Sequence, residues 1–426
     1  MEYTLLALLC VTLFYPTINY LLIVDDIRWA HTIQTGGLNI RGPWTFNKIY
    51  AFIHSRFYGG GTFTRLTTCT TCKGERVVPT SEDKRKTAAC PGCQATGRMW
   101  YTNLKIEHGF TIALHTAICF MIYAVLGHNT TSFVAALLYA VNPVNMQTSV
   151  WLNGRRYAVN ILLMLAMLGL GAWGLPFYAI TPMLQVNVIF APVLLGWWGV
   201  LVSLAMIALA WPRFIKPAVD GRLKSLSSKD MREFTPKRLI IIVKTFGFYI
   251  ARMLLPGRAM MVHPFLTDWG LTEYGNKNAY RFDLWFVFGS ACLAAVPFGL
   301  WFLTGPERWY FAFMVIATLQ VSNVLPLVQT SADRYTNAAN VFMMYFAAKV
   351  LGPVLAMPLF AYYATMTWQS LPLFKDIYGY YDYQLFYFPQ DTIVRKFKIN
   401  WLLKSQDVMG AWEHIKVGLI HNPKDF

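Results

Sequence analysis

Residues 21–29 read Leu21-Leu22-Ile23-Val24-Asp25-Asp26-Ile27-Arg28-Trp29, an apolar run that stops at two adjacent carboxylates. The run reaches back to residue 4, close to the roughly 20 residues a helix needs to cross about 30 Å of hydrocarbon. Adjacent carboxylates repel each other, and packing does not call for them. They make sense at a membrane surface where something cationic or proton-donating meets them; a solvated helix end is the plain alternative. No small-residue cleavage site follows the run, so 4–24 reads as a retained first span and not as a signal peptide.

Composition extends this reading to the whole chain. The sequence is 56% apolar and 16% aromatic, with only 14% charged residues, and its mean hydropathy is positive. These values predict an all-α polytopic membrane protein, integral and multi-pass. The formal charge of +16 sits in loops and not along one polar face with stacking aromatics. That pattern speaks for lipid headgroups and topology and against nucleic acid.

Further apolar segments fall at 108–126, 131–150, 157–185, 186–211, 239–255, 282–303, 308–326 and 338–367. Gly174 and Pro176 divide 157–185, and Pro353 and Pro358 interrupt the last segment, so about ten or eleven spans are expected. The short basic loop 213–238 belongs in the cytoplasm by the positive-inside rule. Counting back with 157–185 as two crossings puts Asp25, Asp26 and the 25–105 segment outside; a single crossing would invert the N-terminal half. Aromatic and basic residues interleave over 27–58, which suits an interfacial surface helix or a packed loop.

Inside the long polar segment lie Cys69-Thr70-Thr71-Cys72 and Cys90-Pro91-Gly92-Cys93. Two Cys-x-x-Cys knuckles at this spacing fit a closed, structural zinc site formed by Cys69, Cys72, Cys90 and Cys93. Two disulfides are the alternative in an oxidising compartment. The knuckles resemble the zinc-binding repeats of DnaJ-type chaperones over about 30 residues. Cys10, Cys119 and Cys292 fall within apolar runs and read as small buried hydrophobes.

Four stretches carry a larger resemblance. They are Asp25-Asp26; Leu138-Tyr-Ala-Val-Asn142-Pro-Val-Asn145-Met-Gln147-Thr-Ser-Val-Trp151-Leu-Asn-Gly154-Arg155-Arg156; Tyr249-Ile-Ala-Arg252-Met-Leu-Leu-Pro256; and Val321-Ser-Asn-Val-Leu-Pro326 with Ala332-Asp333-Arg334-Tyr335. In this order they resemble the GT-C glycosyltransferases, in particular the transmembrane and tetratricopeptide-repeat family of protein O-mannosyltransferases. The chain departs from that pattern where the family has two His and a Glu. Here stand Asn142, Asn145 and Gln147, none of them titratable.

The C-terminal part reads as two amphipathic helices over about 393–423, joined by a polar turn and closing on Asn422-Pro423. This resembles one tetratricopeptide unit, or an ordinary helical hairpin. The chain thus divides into a first transmembrane helix and external loop (1–64), the zinc module (65–100), the transmembrane bundle (101–367) and a helical tail (368–426).

The resemblance implies transfer of a sugar from a polyprenyl-phosphate donor to an external acceptor, a protein hydroxyl or a glycan, in a bacterial inner membrane or the endoplasmic reticulum. Inversion is expected because Asp25-Asp26 is one credible external carboxylate cluster, with no second placed to act as a covalent nucleophile. Asp25 or Asp26 would be the base, with a divalent cation at the pair as a further option. A like-charged neighbour raises the basicity of one member of such a pair. Arg155, Arg156, Arg258 and Arg334, with His263, are candidates for holding the leaving phosphate, because guanidinium forks match phosphate oxygens. Each Arg also reads as an interfacial snorkelling residue. An inactive membrane scaffold and an anion or lipid transporter are the competing functions.

Overall fold

The computed structural model describes residues 1–20, 64–68, 77–79, 87–89, 98–102, 104–151, 154–178, 189–212, 235–259, 282–324, 332–375, 377–387, 391–404 and 406–421, with a few isolated positions between them. The 27–58 stretch lies outside the described residues. The described structure is predominantly helical, and its helices and strand pairs fall into two compact units.

The first unit holds α1 (Glu2–Phe14), α2 (Leu104–Val125, from His108 onward), α3 (Thr130–Val141), α4 (Met146–Ser149), α5 (Arg155–Leu170), α6 (Trp197–Ala210), α7 (Pro236–Leu254), α8 (Leu284–Phe302), α9 (Gly305–Leu319) and α10 (Asn337–Ser370). Among the described residues, four helical stretches are long and apolar enough to cross a membrane: Glu107–Val125, Arg155–Gly174, Leu284–Phe302 and Asn337–Phe374. About ten or eleven spans are expected from the sequence, but several of its apolar segments are cut short by their own breakers. α1 gives way at Phe14 to a 3-10 turn over Tyr15–Asn19 that contains Pro16. The 131–150 segment ends as a regular helix at Val141, where Asn142 takes an extended conformation (ψ 122°) and caps the 3-10 turn Pro143–Asn145. The residue before a proline is driven out of the helical region, so the break is written locally. α10 breaks in the same way: Gly352, with φ 65°, precedes Pro353.

The turn from α2 to α3 uses Gly127 and His128 at φ 118° and 52°. Asn129 then opens α3 with a reciprocal capping box to Ser132. α7 and α8 touch at two glycines, and a Cβ on Gly247 would lie 2.7 Å from Cα of Gly289. The same pair of helices satisfies a charge in an apolar helix: Lys244, 1% exposed, donates to Asp283 at 2.6 Å. Asp283 also caps α8 through the amide of Phe286 at 3.1 Å. α8 itself is apolar all round and almost unburied, with Leu284 and Trp301 each 80% exposed. A helix of that composition is stable facing hydrocarbon and costly facing water.

Among its described residues, the second unit holds two antiparallel strand pairs and three helices. β1 (Thr64–Thr68) pairs with β4 (Arg98–Thr102), and β2 (Val77–Pro79) with β3 (Thr87–Ala89). The outer pair therefore closes around the sequence interval that contains both Cys-x-x-Cys knuckles. α11 (Ile377–Tyr387), α12 (Thr392–Lys404) and α13 (Val408–His421) form the tail. Ile399, Leu402 and Ala411 make the core between α12 and α13, with Trp401 and Ile415 against it.

Candidate functional site

Three stretches of distant sequence converge on the segment 142–156. At its start, Asn142 uses its carboxamide twice: Oδ1 accepts from the amide of Val144 at 3.0 Å, and Nδ2 donates to the carbonyl of Met253 at 3.0 Å. The end of α3 is thereby tied to the end of α7. Asn145 donates to the carbonyl of Tyr139 at 2.7 Å and accepts from Nδ2 of Asn340 at 3.2 Å. Asn337 meets the hydroxyl of Thr148 at 3.0 Å. Asn145, Gln147 and Asn340 are fully buried, where an unmade hydrogen bond would cost about 1–3 kcal/mol.

Gln147 is the contact point for the fourth stretch. Arg334 donates from Nη1 to its Oε1 at 3.0 Å. The guanidinium also lies over the rings of Trp151 and Tyr335, 5.4 Å and 4.9 Å from their centroids, and hydrogen-bonds the hydroxyl of Tyr157. Its neighbour Asp333 is fully buried and accepts a two-pronged bond from Arg252, Nε to Oδ1 at 3.0 Å and Nη2 to Oδ2 at 3.1 Å. Tyr249, three residues earlier on α7, accepts the amide of Ala332 on its hydroxyl at 3.1 Å. Tyr249 and Arg252 from the third stretch therefore hold the Ala332-Asp333-Arg334-Tyr335 turn in place.

Gly154 shows why the Trp151-to-Arg156 stretch needs its glycine. A Cβ there would stand 2.1 Å from the carbonyl oxygen of Gln147. Beyond it, Arg155 opens α5 almost fully buried; its Nε donates to the Thr111 hydroxyl at 2.8 Å, and its guanidinium covers the Phe110 ring at 5.4 Å. Arg156 is half-buried over the ring of Tyr157 at 5.2 Å. Nε of Arg156 and Nε1 of Trp151 are buried donors with no hydrogen-bond partner among the described residues. Arg258 is exposed and offers its carbonyl oxygen to Arg252.

Of the residues singled out from the sequence, Arg155, Arg156 and Arg334 are thus gathered on or around the 142–156 segment. Asp25, Asp26, His263, Cys69, Cys72, Cys90 and Cys93 lie outside the described residues. Asn337, Asn340, Thr148 and Thr111 complete the network without any sequence signal beyond polar residues in apolar helices. One more constellation has almost no sequence signature. Cys10 and Cys119 are buried, as small hydrophobes would be, but together with His115 they form a cluster that could hold a metal ion. The only trace in the sequence is the four-residue spacing of His115 and Cys119, which puts both on one face of α2.

No family model, no curated protein and no solved structure matches this chain.

Proposed function

We propose that the protein is an integral, multi-pass membrane glycosyltransferase of the GT-C type, transferring a sugar from a polyprenyl-phosphate donor to a hydroxyl acceptor outside the membrane. One observation carries this reading. Three of the four stretches that resemble the family, spread from Leu138 to Tyr335, meet in a single buried hydrogen-bonded network around Gln147, Arg252, Asp333 and Arg334. Independent apolar helices would have no reason to bring those stretches together. The exposed apolar surface of α8 supports the membrane location.

In the proposed reaction the acceptor oxygen attacks the anomeric carbon, the bond from that carbon to the phosphate oxygen breaks, and the configuration inverts. Asp25 or Asp26 takes the acceptor proton. Arg334, Arg155 and Arg156 neutralise the departing phosphate, and the orphaned donors of Trp151 and Arg156 suit its oxygens. Arg258 and His263 are further phosphate contacts in this reading. Zinc on Cys69, Cys72, Cys90 and Cys93 stabilises the second unit and takes no part in the chemistry.

A second reading has its own observation. Asn142, Asn145 and Gln147 replace the family's titratable residues, and each is spent on holding helices together. An inactive scaffold would look like this. The readings separate on one experiment: purified protein in proteoliposomes with a radiolabelled polyprenyl-phosphate sugar and a hydroxylated peptide. Transfer that falls by about 10²–10⁴ in the Asp25→Asn/Asp26→Asn double variant supports the enzyme. Full activity in the double variant rules out the carboxylate base, and no transfer by the unaltered protein favours the scaffold.

A further inference from the structure

We propose that Cys10, His115 and Cys119 form a zinc site that clamps α1 to α2. The inference stands apart from the glycosyltransferase reading and from the Cys-x-x-Cys knuckles. One ligand atom from each residue lies within 4.8 Å of the other two. Their exposures are 0%, 1% and 0%, so the groups face one another and not lipid or water.

The sulfur separation, which two thiols span as an S–H···S hydrogen bond, also suits a shared ion. Cys10 Sγ and Cys119 Sγ stand 3.8 Å apart. Two thiolates bound at about 2.3 Å to one tetrahedral ion sit about 3.8 Å from each other. A disulfide would need them at about 2.05 Å. The two cysteines lie 109 residues apart on different helices, so chain connectivity does not impose this distance.

The tautomer of the imidazole suits a ligand. Nε2 of His115 lies 3.1 Å from the carbonyl oxygen of Ala140. A carbonyl only accepts, so Nε2 carries the proton, and the lone pair of the neutral ring is on Nδ1. A metal-bound histidine commonly donates its second ring N–H to a carbonyl in this way. Nδ1 meets the hydroxyl of Ser149 at 2.8 Å, and that hydroxyl has a second acceptor, the carbonyl of Asn145 at 2.9 Å. For Nδ1 to take an ion, the Ser149 hydroxyl must swing aside, since its oxygen stands 2.8 Å away in the lone-pair direction.

Charge selects among soft cations. Thiolate and imidazole donors suit Zn²⁺ and Cu⁺ alike. Two thiolates with a divalent ion make a neutral cluster, whereas a monovalent ion leaves a net negative charge in an apolar interior, which is costly. As Zn²⁺ enters, the two thiol protons leave to solvent, and no electron is transferred.

The test is metal content by difference in the full-length protein, purified in detergent. Cys10→Ala and Cys119→Ala should each contain about one zinc per chain less than the unaltered protein, while Cys292→Ala should lose none. The difference is independent of zinc bound elsewhere. Equal zinc in all forms overturns the proposal, as does a Cys10–Cys119 disulfide on mass mapping, and loss of copper in place of zinc overturns the divalent assignment. Should the alanine variants fail to accumulate, zinc-edge X-ray absorption on the unaltered protein decides: imidazole scattering in the zinc shell is expected, and a shell of sulfur alone overturns the site.

Discussion

Arg334 and Gln147, 187 residues apart, share a buried hydrogen bond of 3.0 Å in which a cation is held by a neutral amide. A carboxylate at position 147 would neutralise the guanidinium; the amide positions it and leaves its charge for an anion. Gln147→Glu should therefore tighten the pair and weaken phosphate binding. Hydrogen bonds to charged groups contribute about 1.5–3 kcal/mol, so affinity for a polyprenyl phosphate should fall roughly 10- to 100-fold while the melting temperature rises. Native mass spectrometry with the lipid phosphate measures the first and differential scanning fluorimetry the second. Unchanged lipid affinity would remove Arg334 from the phosphate site.

Arg252 and Asp333 make the complementary case, a paired buried charge. Asp333→Asn leaves Arg252 facing an amide in a dry environment. Breaking one side of such a pair costs about 3–5 kcal/mol, so the variant should lose much of its thermal stability. The double variant Arg252→Met/Asp333→Leu should recover most of the loss, because replacing both partners removes the stranded charge. Thermal melts of the three proteins in one detergent check this. A double variant as unstable as the single would mean that the turn itself depends on Asp333.

Gly154 gives a purely steric prediction. The Cβ introduced by Gly154→Ala would stand 2.1 Å from a backbone oxygen, that of Gln147, and backbone cannot swing aside. Overpacking of this kind costs about 1–3 kcal/mol. The expected result is a lower melting temperature together with weaker lipid-phosphate binding, since Gln147 must move. Gly109, inside α2, where an added Cβ would meet nothing within 4 Å, is the control: Gly109→Ala should leave the melting temperature unchanged or raise it, because Ala favours a helix over Gly.

What the sequence discloses follows its periodicities. The segments read at 282–303 and 239–255 both appear as helices, Leu284–Phe302 and Pro236–Leu254, but of the two only Leu284–Phe302 is apolar enough to cross a membrane, since Lys244 and Arg252 interrupt the other. The tail hairpin read over 393–423 appears as Thr392–Lys404 and Val408–His421. Hydropathy misleads where a single local feature overrides it, as at Asn142-Pro143, where an apolar segment of membrane length becomes a 12-residue helix and a buried turn. The polar network is half legible: motif order points to Arg155, Arg156 and Arg334, but Asn337 and Asn340 sit one turn apart in an apolar helix and reveal their role only through their partners. The Cys10, His115 and Cys119 cluster joins α1 to α2 across a 109-residue separation, and no local pattern encodes such a meeting.

The tail hairpin should open in acid. Arg395 on α12 points Nη1 at Nδ1 of His414 on α13, 3.2 Å away. A guanidinium can only donate, so Nδ1 must keep its lone pair and the imidazole stays neutral. Burial, then Lys398 and Arg395, hold the His414 pKa below its ordinary 6.5, against the opposing pull of Asp382 and Asp407. A depressed folded pKa means that the unfolded hairpin takes up the proton first as pH falls. The stabilising contribution is therefore complete above 6.5 and is lost as pH drops through that value toward the folded pKa. Hydrogen–deuterium exchange over residues 392–421, corrected for intrinsic rates, should show faster opening at about pH 5.5 than at about pH 7.5. In His414→Gln, whose side chain does not titrate, the acid-induced difference should shrink. Equal protection at both pH values in the unaltered protein would show that Arg395 and His414 do not meet in the way their geometry requires.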